Sequence, residues 1–172
     1  MNFRLSLDLS TDGRIFGGFH MTINWAAEAA EKLRSRMADR RVSDKKLLEE
    51  RKRLEEQGPA LWIGVCEEIK RLVLELNENY GSVIVRVKDR DLNQLEARFE
   101  LSGRTTDLKV TFEPTTSQYA LKWVYTGDLG RDVKSGSCPL YIDNGRVVFQ
   151  QALIKRTPAS LAEEMLDNLI SE

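Results

Sequence analysis

The sequence contains a single histidine, His20, and two cysteines, Cys66 and Cys138, among its 172 residues. A paired-histidine metal site needs more than one histidine. A catalytic triad would depend on His20 alone, which lies in the first 20 residues, a stretch that the sequence does not tie to the fold. The two cysteines stand too far apart for a zinc or redox motif, and Cys66 falls on the apolar side of a predicted helix, where a buried thiol is expected. We therefore expect no catalytic residues, no metal site and no cofactor, and we interpret the protein as a non-enzyme.

The chain also lacks an excess of charge of either sign and lacks long apolar runs. Its 26 basic and 27 acidic residues give a net charge of −1, so no overall field attracts nucleic acid or anionic lipid. No apolar run approaches the roughly 18 residues of a membrane span. These absences favour a soluble cytoplasmic protein of about one domain, without a membrane partner.

The D-x-D-x-N pattern of residues 89–93 resembles the opening of a calcium-binding loop. The sixth position of such a loop requires glycine for its sharp turn, and here it holds Gln94. Residues 95–101 alternate as a strand, where a calcium loop would enter a helix. The pattern therefore predicts a hairpin turn rather than a metal site.

Residues 21–80 carry apolar side chains at helical spacing. The first run extends from about Asn24 to Gln57, and Ser43 leaves open whether it is one helix or two. Gly58-Pro59 predicts the end of one helix and the start of another, because glycine follows helices and proline opens them. The second run, from Trp62 to Leu76, is apolar almost all round, so we expect it to be covered on more than one side. We interpret 21–80 as a helical hairpin.

After Gly81 the apolar period changes from 3.6 to 2, which is typical of strands with one buried face. Short turns separate the alternating runs, as in an antiparallel meander, and Asp143-Asn144-Gly145 is the clearest hairpin signal. A glycine-rich loop is predicted over 127–137, and Thr157-Pro158 opens a short final helix.

The predicted fold class is thus α+β, with an N-terminal helical hairpin packed on one face of a roughly six-stranded antiparallel meander and a short C-terminal helix. Residues 21–80 and 81–172 are expected to form one compact domain. Residues 3–9, FRLSLDL, alternate like a strand. The stretch 1–20 is interpreted either as this strand and a loop or as a leader foreign to the fold.

The order of strand, two helices, six strands and final helix resembles the helix-grip fold of birch-pollen-allergen-like and lipid-transfer proteins. The resemblance concerns element order and has no sequence motif, so it assigns no family. It implies one functional alternative, a carrier of a small apolar ligand, with Tyr119, Trp123 and Tyr125 lining the pocket. The competing interpretation is that these aromatics fill the core.

A second functional alternative concerns the charged first helix. Arg34, Arg41, Lys45 and Lys52 share one face and could follow a phosphate backbone. Acidic residues four positions away can pair with the basic residues of this helix, as Glu56 can with Lys52, and no aromatic side chains lie between them to stack bases. These features argue against nucleic acid as a partner.

The leading prediction comes from the heptad-like spacing of residues 26–54, which alternates steps of three and four. Charged residues at three of its nine positions argue against a long dry interface but allow contact at the two ends. We expect a protein-interaction module that forms a homodimer or binds another protein through the projecting part of this long helix and the sheet edge. The predicted partner-binding residues are Leu33, Met37, Arg40, Asp44, Leu47, Arg51 and Leu54.

Overall fold

The computed structural model describes residues 19–115, 118–128, 130 and 132–171, so the predicted strand 3–9 lies outside them. The chain divides into two compact units, Met1–Lys46 and Leu47–Glu172. The elements, in chain order, are α1 (Phe19–Tyr80), β1 (Val85–Asp91), β2 (Gln94–Leu101), β3 (Arg104–Pro114), β4 (Tyr119–Thr126), β5 (Asp132–Asp143), β6 (Arg146–Gln151), β7 (Ile154–Arg156) and α2 (Pro158–Ser171).

The prediction of a helical hairpin is wrong, because α1 continues without a break through Ser43 and through Gly58-Pro59. Gly58 is buried, and a Cβ atom there would lie 3.2 Å from Cζ of Phe112. The glycine therefore allows α1 to approach the sheet closely and does not end a helix. Pro59 lies inside the helix, where it lacks the N–H that would bond to the carbonyl of Glu55.

The α+β class and the antiparallel meander are confirmed, but the sheet has seven strands instead of six. Each strand pairs with the next in the chain, so β1 and β7 form the two edges. The strand that the sequence did not predict is β7, which has only three residues. It follows a two-residue turn, Ala152-Leu153, which contains none of the usual turn residues.

The predicted glycine-rich loop over 127–137 is also shorter than expected, because β5 already begins at Asp132. Gly136 lies within this strand, directly opposite Trp123 of β4. A Cβ atom at position 136 would lie 2.4 Å from the indole ring of Trp123. The glycine is therefore required for space on the sheet face and not for a turn.

One face of the sheet is apolar and is covered by the C-terminal part of α1. Trp62, Val65, Ile69 and Val73 of this helix are buried in the core. Burial of a large side chain contributes about 1.5–3 kcal/mol, so these four residues are a principal source of stability. The expectation that this helix is covered on more than one side is wrong. Leu74, on a different side of α1, is 61% exposed.

The same face of the sheet is also covered by α2. Leu161, Met165 and Leu169, on one side of this short helix, are fully buried. The two helices approach each other where a Cβ atom on Gly64 would lie 3.4 Å from Pro158. The second unit thus has two layers, a seven-stranded sheet and two helices, and its opposite sheet face carries the charged side chains.

Candidate interaction surfaces

In the first unit, the described side chains of α1 form an exposed surface. Every side chain from Glu31 to Lys46 is exposed. Leu33 is 60% exposed and Met37 is 65% exposed, although side chains of their size are usually buried in monomeric domains. Arg40 and Asp44 continue the same side of the helix. We call these four residues the helix stripe.

The remaining residues of the predicted seam lie in the second unit, where their surroundings differ. Leu47 is 60% exposed. Nε of Arg51 donates a hydrogen bond to Oε1 of Glu55 at 3.0 Å. Leu54 is half-buried and packs against the core of the sheet unit. The structure therefore places Leu54 with the core, while the other seam residues are exposed.

The predicted basic face is exposed at Arg34, Arg41, Lys45 and Lys52. Of the pairings that the sequence predicts along this helix, Arg51–Glu55 forms, and Nζ of Lys52 lies 3.8 Å from Oε1 of Glu56. Both pairs are largely exposed, so each contributes about 0–1 kcal/mol to stability. They keep the helix charged and hydrated without fixing a ligand.

The three aromatics of the predicted ligand pocket are all buried in the core of the second unit. The hydroxyl of Tyr125 donates a hydrogen bond to the carbonyl of Met165 at 3.0 Å. The ring of Tyr119 lies 6.2 Å from that of Phe112, and Trp123 covers Gly136. The first contact joins the sheet to α2 and the other two join neighbouring strands, which is the role of core residues.

The two thiols are poorly suited to nucleophilic chemistry. Burial raises the pKa of Cys138 to about 11 and that of Cys66 to about 12. Both side chains are therefore protonated at neutral pH, whereas the thiolate is the reactive form. Among the described residues, no three potential metal ligands cluster together. None of the described helices combines the length and the apolar composition of a membrane span.

A further surface, whose residues the sequence did not single out, lies where α1 passes the edge strand β1. The side chain of Asn77 forms hydrogen bonds with both backbone groups of Val85, donating to its carbonyl at 2.8 Å and accepting from its amide at 3.0 Å. Lys70 forms an ion pair with Asp89 at 2.6 Å. These contacts hold the edge strand beside the helix and leave a groove between them.

Comparison with known proteins yields no match, because no family model, no curated protein and no solved structure resembles the chain significantly.

Proposed function

We propose that this protein is a non-enzymatic interaction module whose helix stripe binds a second copy of the chain and forms a homodimer. The observation that carries the proposal is the exposure of Leu33 and Met37, at 60% and 65%, on one side of a charged helix. Burying large apolar side chains of this kind contributes about 1.5–3 kcal/mol each. Their spacing of four residues suits packing against a second helix.

The charged part of the stripe sets the strength of this association. Arg40 and Asp44 occupy positions where a dry coiled-coil seam would have apolar residues. Burying a charge is unfavourable unless a partner compensates it. We therefore propose a reversible dimer, in which contact is made near Leu33 and Met37 and water remains near the charged pair.

The test is the double variant Arg40→Leu/Asp44→Leu, which extends the apolar stripe and leaves the net charge unchanged. Its control is Glu28→Leu/Lys32→Leu, which removes one acid and one base at the same spacing on another side of the helix. Sedimentation equilibrium should show the first variant dimerising at least about tenfold more tightly than the wild type. The control should change the dimerisation constant by less than about threefold.

Two outcomes would contradict the proposal. Equal strengthening in both variants would show that added leucine promotes association without regard to the stripe. A chain that stays monomeric in both variants would show that the stripe contacts no second copy. Salt-sensitive binding of nucleic acid that is lost in Arg34→Glu/Arg41→Glu would support the alternative function of the basic face instead.

A further inference from the structure

β1 is an edge strand, and some of its backbone groups point away from the sheet. The amide of Glu100 donates at 2.9 Å to the carbonyl of Ile84, the residue just before β1, and this bond fixes which backbone groups of β1 face β2. They belong to Arg86 and Lys88, two and four positions after Ile84. The amide and carbonyl groups of Val87 and Asp89 therefore point outward.

Asn77 shows what these outward groups can bind. Its amide side chain satisfies both backbone groups of Val85 and also accepts from the amide of Ile84 at 2.9 Å. It thus replaces one residue of a neighbouring strand. Among the described residues, the outward groups of Val87 and Asp89 have no hydrogen-bond partner. They are available to an additional strand, the usual route by which an edge binds a peptide.

The two sides of this edge differ in chemistry. Toward α1, a hollow of about 500 Å³ is lined in part by Val73, Leu74 and Val83. Leu74 is 61% exposed and Val83 is 62% exposed. Toward the opposite face of the sheet, the side chains of β1 alternate as Arg86, Lys88 and Arg90. An added strand would therefore place alternate side chains against an apolar surface and a basic one.

The positive charge of the basic face determines which kind of strand can be added beside β1. Arg86 pairs with Glu100 at 2.9 Å and Arg90 pairs with Glu96, whereas Lys88 has no carboxylate partner among the described residues. Five basic and two acidic side chains line a hollow of about 470 Å³ on this face. A second copy of β1 would bring like charges together across the edge, which is destabilising.

We propose that the β1 edge binds an extended segment of a partner protein in which acidic residues alternate with apolar ones. The segment adds a strand beyond β1, with its amides and carbonyls bonded to Val87 and Asp89. Its carboxylates lie over Arg86, Lys88 and Arg90, and its apolar side chains lie beside Leu74 and Val83. This inference concerns the second unit and does not rest on the helix stripe.

The experiment titrates the full-length protein with synthetic peptides in which glutamate alternates with valine, leucine or phenylalanine. Matched peptides with lysine in place of glutamate are the control. We expect the acidic peptides to bind at least about tenfold more tightly than their lysine counterparts. Bound peptide should also slow hydrogen exchange at the amides of Val87 and Asp89 by at least about tenfold, because edge pairing protects those amides.

Variants separate edge pairing from general attraction to the basic face. Lys88→Glu should weaken acidic-peptide binding by about tenfold or more. Lys109 lies in the same cross-strand row as Lys88 but on β3, two strands inward from the edge. Lys109→Glu should therefore weaken acidic-peptide binding by less than about threefold. Val87→Pro should abolish binding, since the outward amide is lost while no bond to β2 is removed. A cooperative thermal unfolding transition should show that this variant is folded.

The proposal is overturned if no acidic peptide binds at concentrations up to about 1 mM. It is also overturned if acidic and lysine peptides bind alike, or if binding leaves exchange at Val87 and Asp89 unchanged. A monomeric chain that still binds acidic peptides at β1 would contradict the homodimer alone. A dimer without peptide binding would contradict the β1 proposal alone.

Discussion

At the scale of single residues, the turn between β6 and β7 is unusual among the four two-residue hairpin turns of the described residues. Two of the others contain glycine at their second turn residue, Ser102-Gly103 and Asn144-Gly145, and the third, Leu92-Asn93, contains asparagine there. Ala152 and Leu153 instead adopt φ angles of 48° and 67° with ordinary side chains. Each such residue costs about 1–2 kcal/mol. The sequence could not indicate this turn, because Ala-Leu has no turn preference.

This strain predicts that Ala152→Asn/Leu153→Gly stabilises the protein by about 1–2 kcal/mol. Leu153 is 90% exposed, so its removal sacrifices little buried surface. The urea midpoint should rise with an unchanged slope. The control, Gly145→Ala, places a side chain at φ 79° and 3.1 Å from Arg53, so it should destabilise. A lower urea midpoint in the double variant than in the wild type would contradict the inference that this turn is strained.

At the scale of elements, local sequence patterns predicted the strands well and the helix boundary poorly. Alternation such as Leu108, Val110 and Phe112 depends only on one face being buried, so it indicates a strand correctly. Gly58-Pro59 is compatible both with a helix boundary and with close packing of a helix on a sheet. Which of the two structures forms depends on the contact with Phe112, which is distant in sequence. Local preference was overridden here by tertiary contact.

The same comparison explains what could be predicted about the interaction surfaces. The spacing of Leu33 and Met37 is visible in the sequence, and their role in binding stays a prediction. The packing of Leu54 against the core depends on where the sheet lies, which spacing does not show. The predicted meander indicates that its first strand lies at an edge, but the chemistry of the β1 edge could not be predicted, because charged residues alternate on inner strands in the same way. Only the strand order makes β1 an edge.

The position of Pro59 inside α1 predicts that Pro59→Ala stabilises the second unit by about 1–2 kcal/mol. The alanine restores an amide to the helix, while the loss of proline's restriction on the unfolded chain offsets part of the gain. Thermal unfolding should show the increase. The matched variant Gly58→Ala improves helix propensity too, but it must displace Phe112 at 3.2 Å. A loss of stability in Pro59→Ala would show that α1 needs a kink there.

At the scale of the whole molecule, the second unit has a core of its own, whereas the side chains of residues 31–46 are exposed. Helical segments without buried side chains are marginally stable in water, even when pairs four residues apart support them. If the helix stripe binds a second copy, mass action must stabilise this segment as the protein concentration rises. The stability of the sheet core should not change in the same way.

Hydrogen exchange of the full-length protein tests this coupling. Between about 1 and 100 μM protein, exchange at the amides of residues 31–46 should slow several-fold. The amides of Leu108 and Val110, within the sheet core, serve as internal controls and should exchange at constant rates. Arg40→Leu/Asp44→Leu should shift the slowing to lower concentration, because it strengthens the dimer. Exchange that is slow at every concentration would mean that the first unit is stabilised without a second copy, which contradicts the proposed dimer.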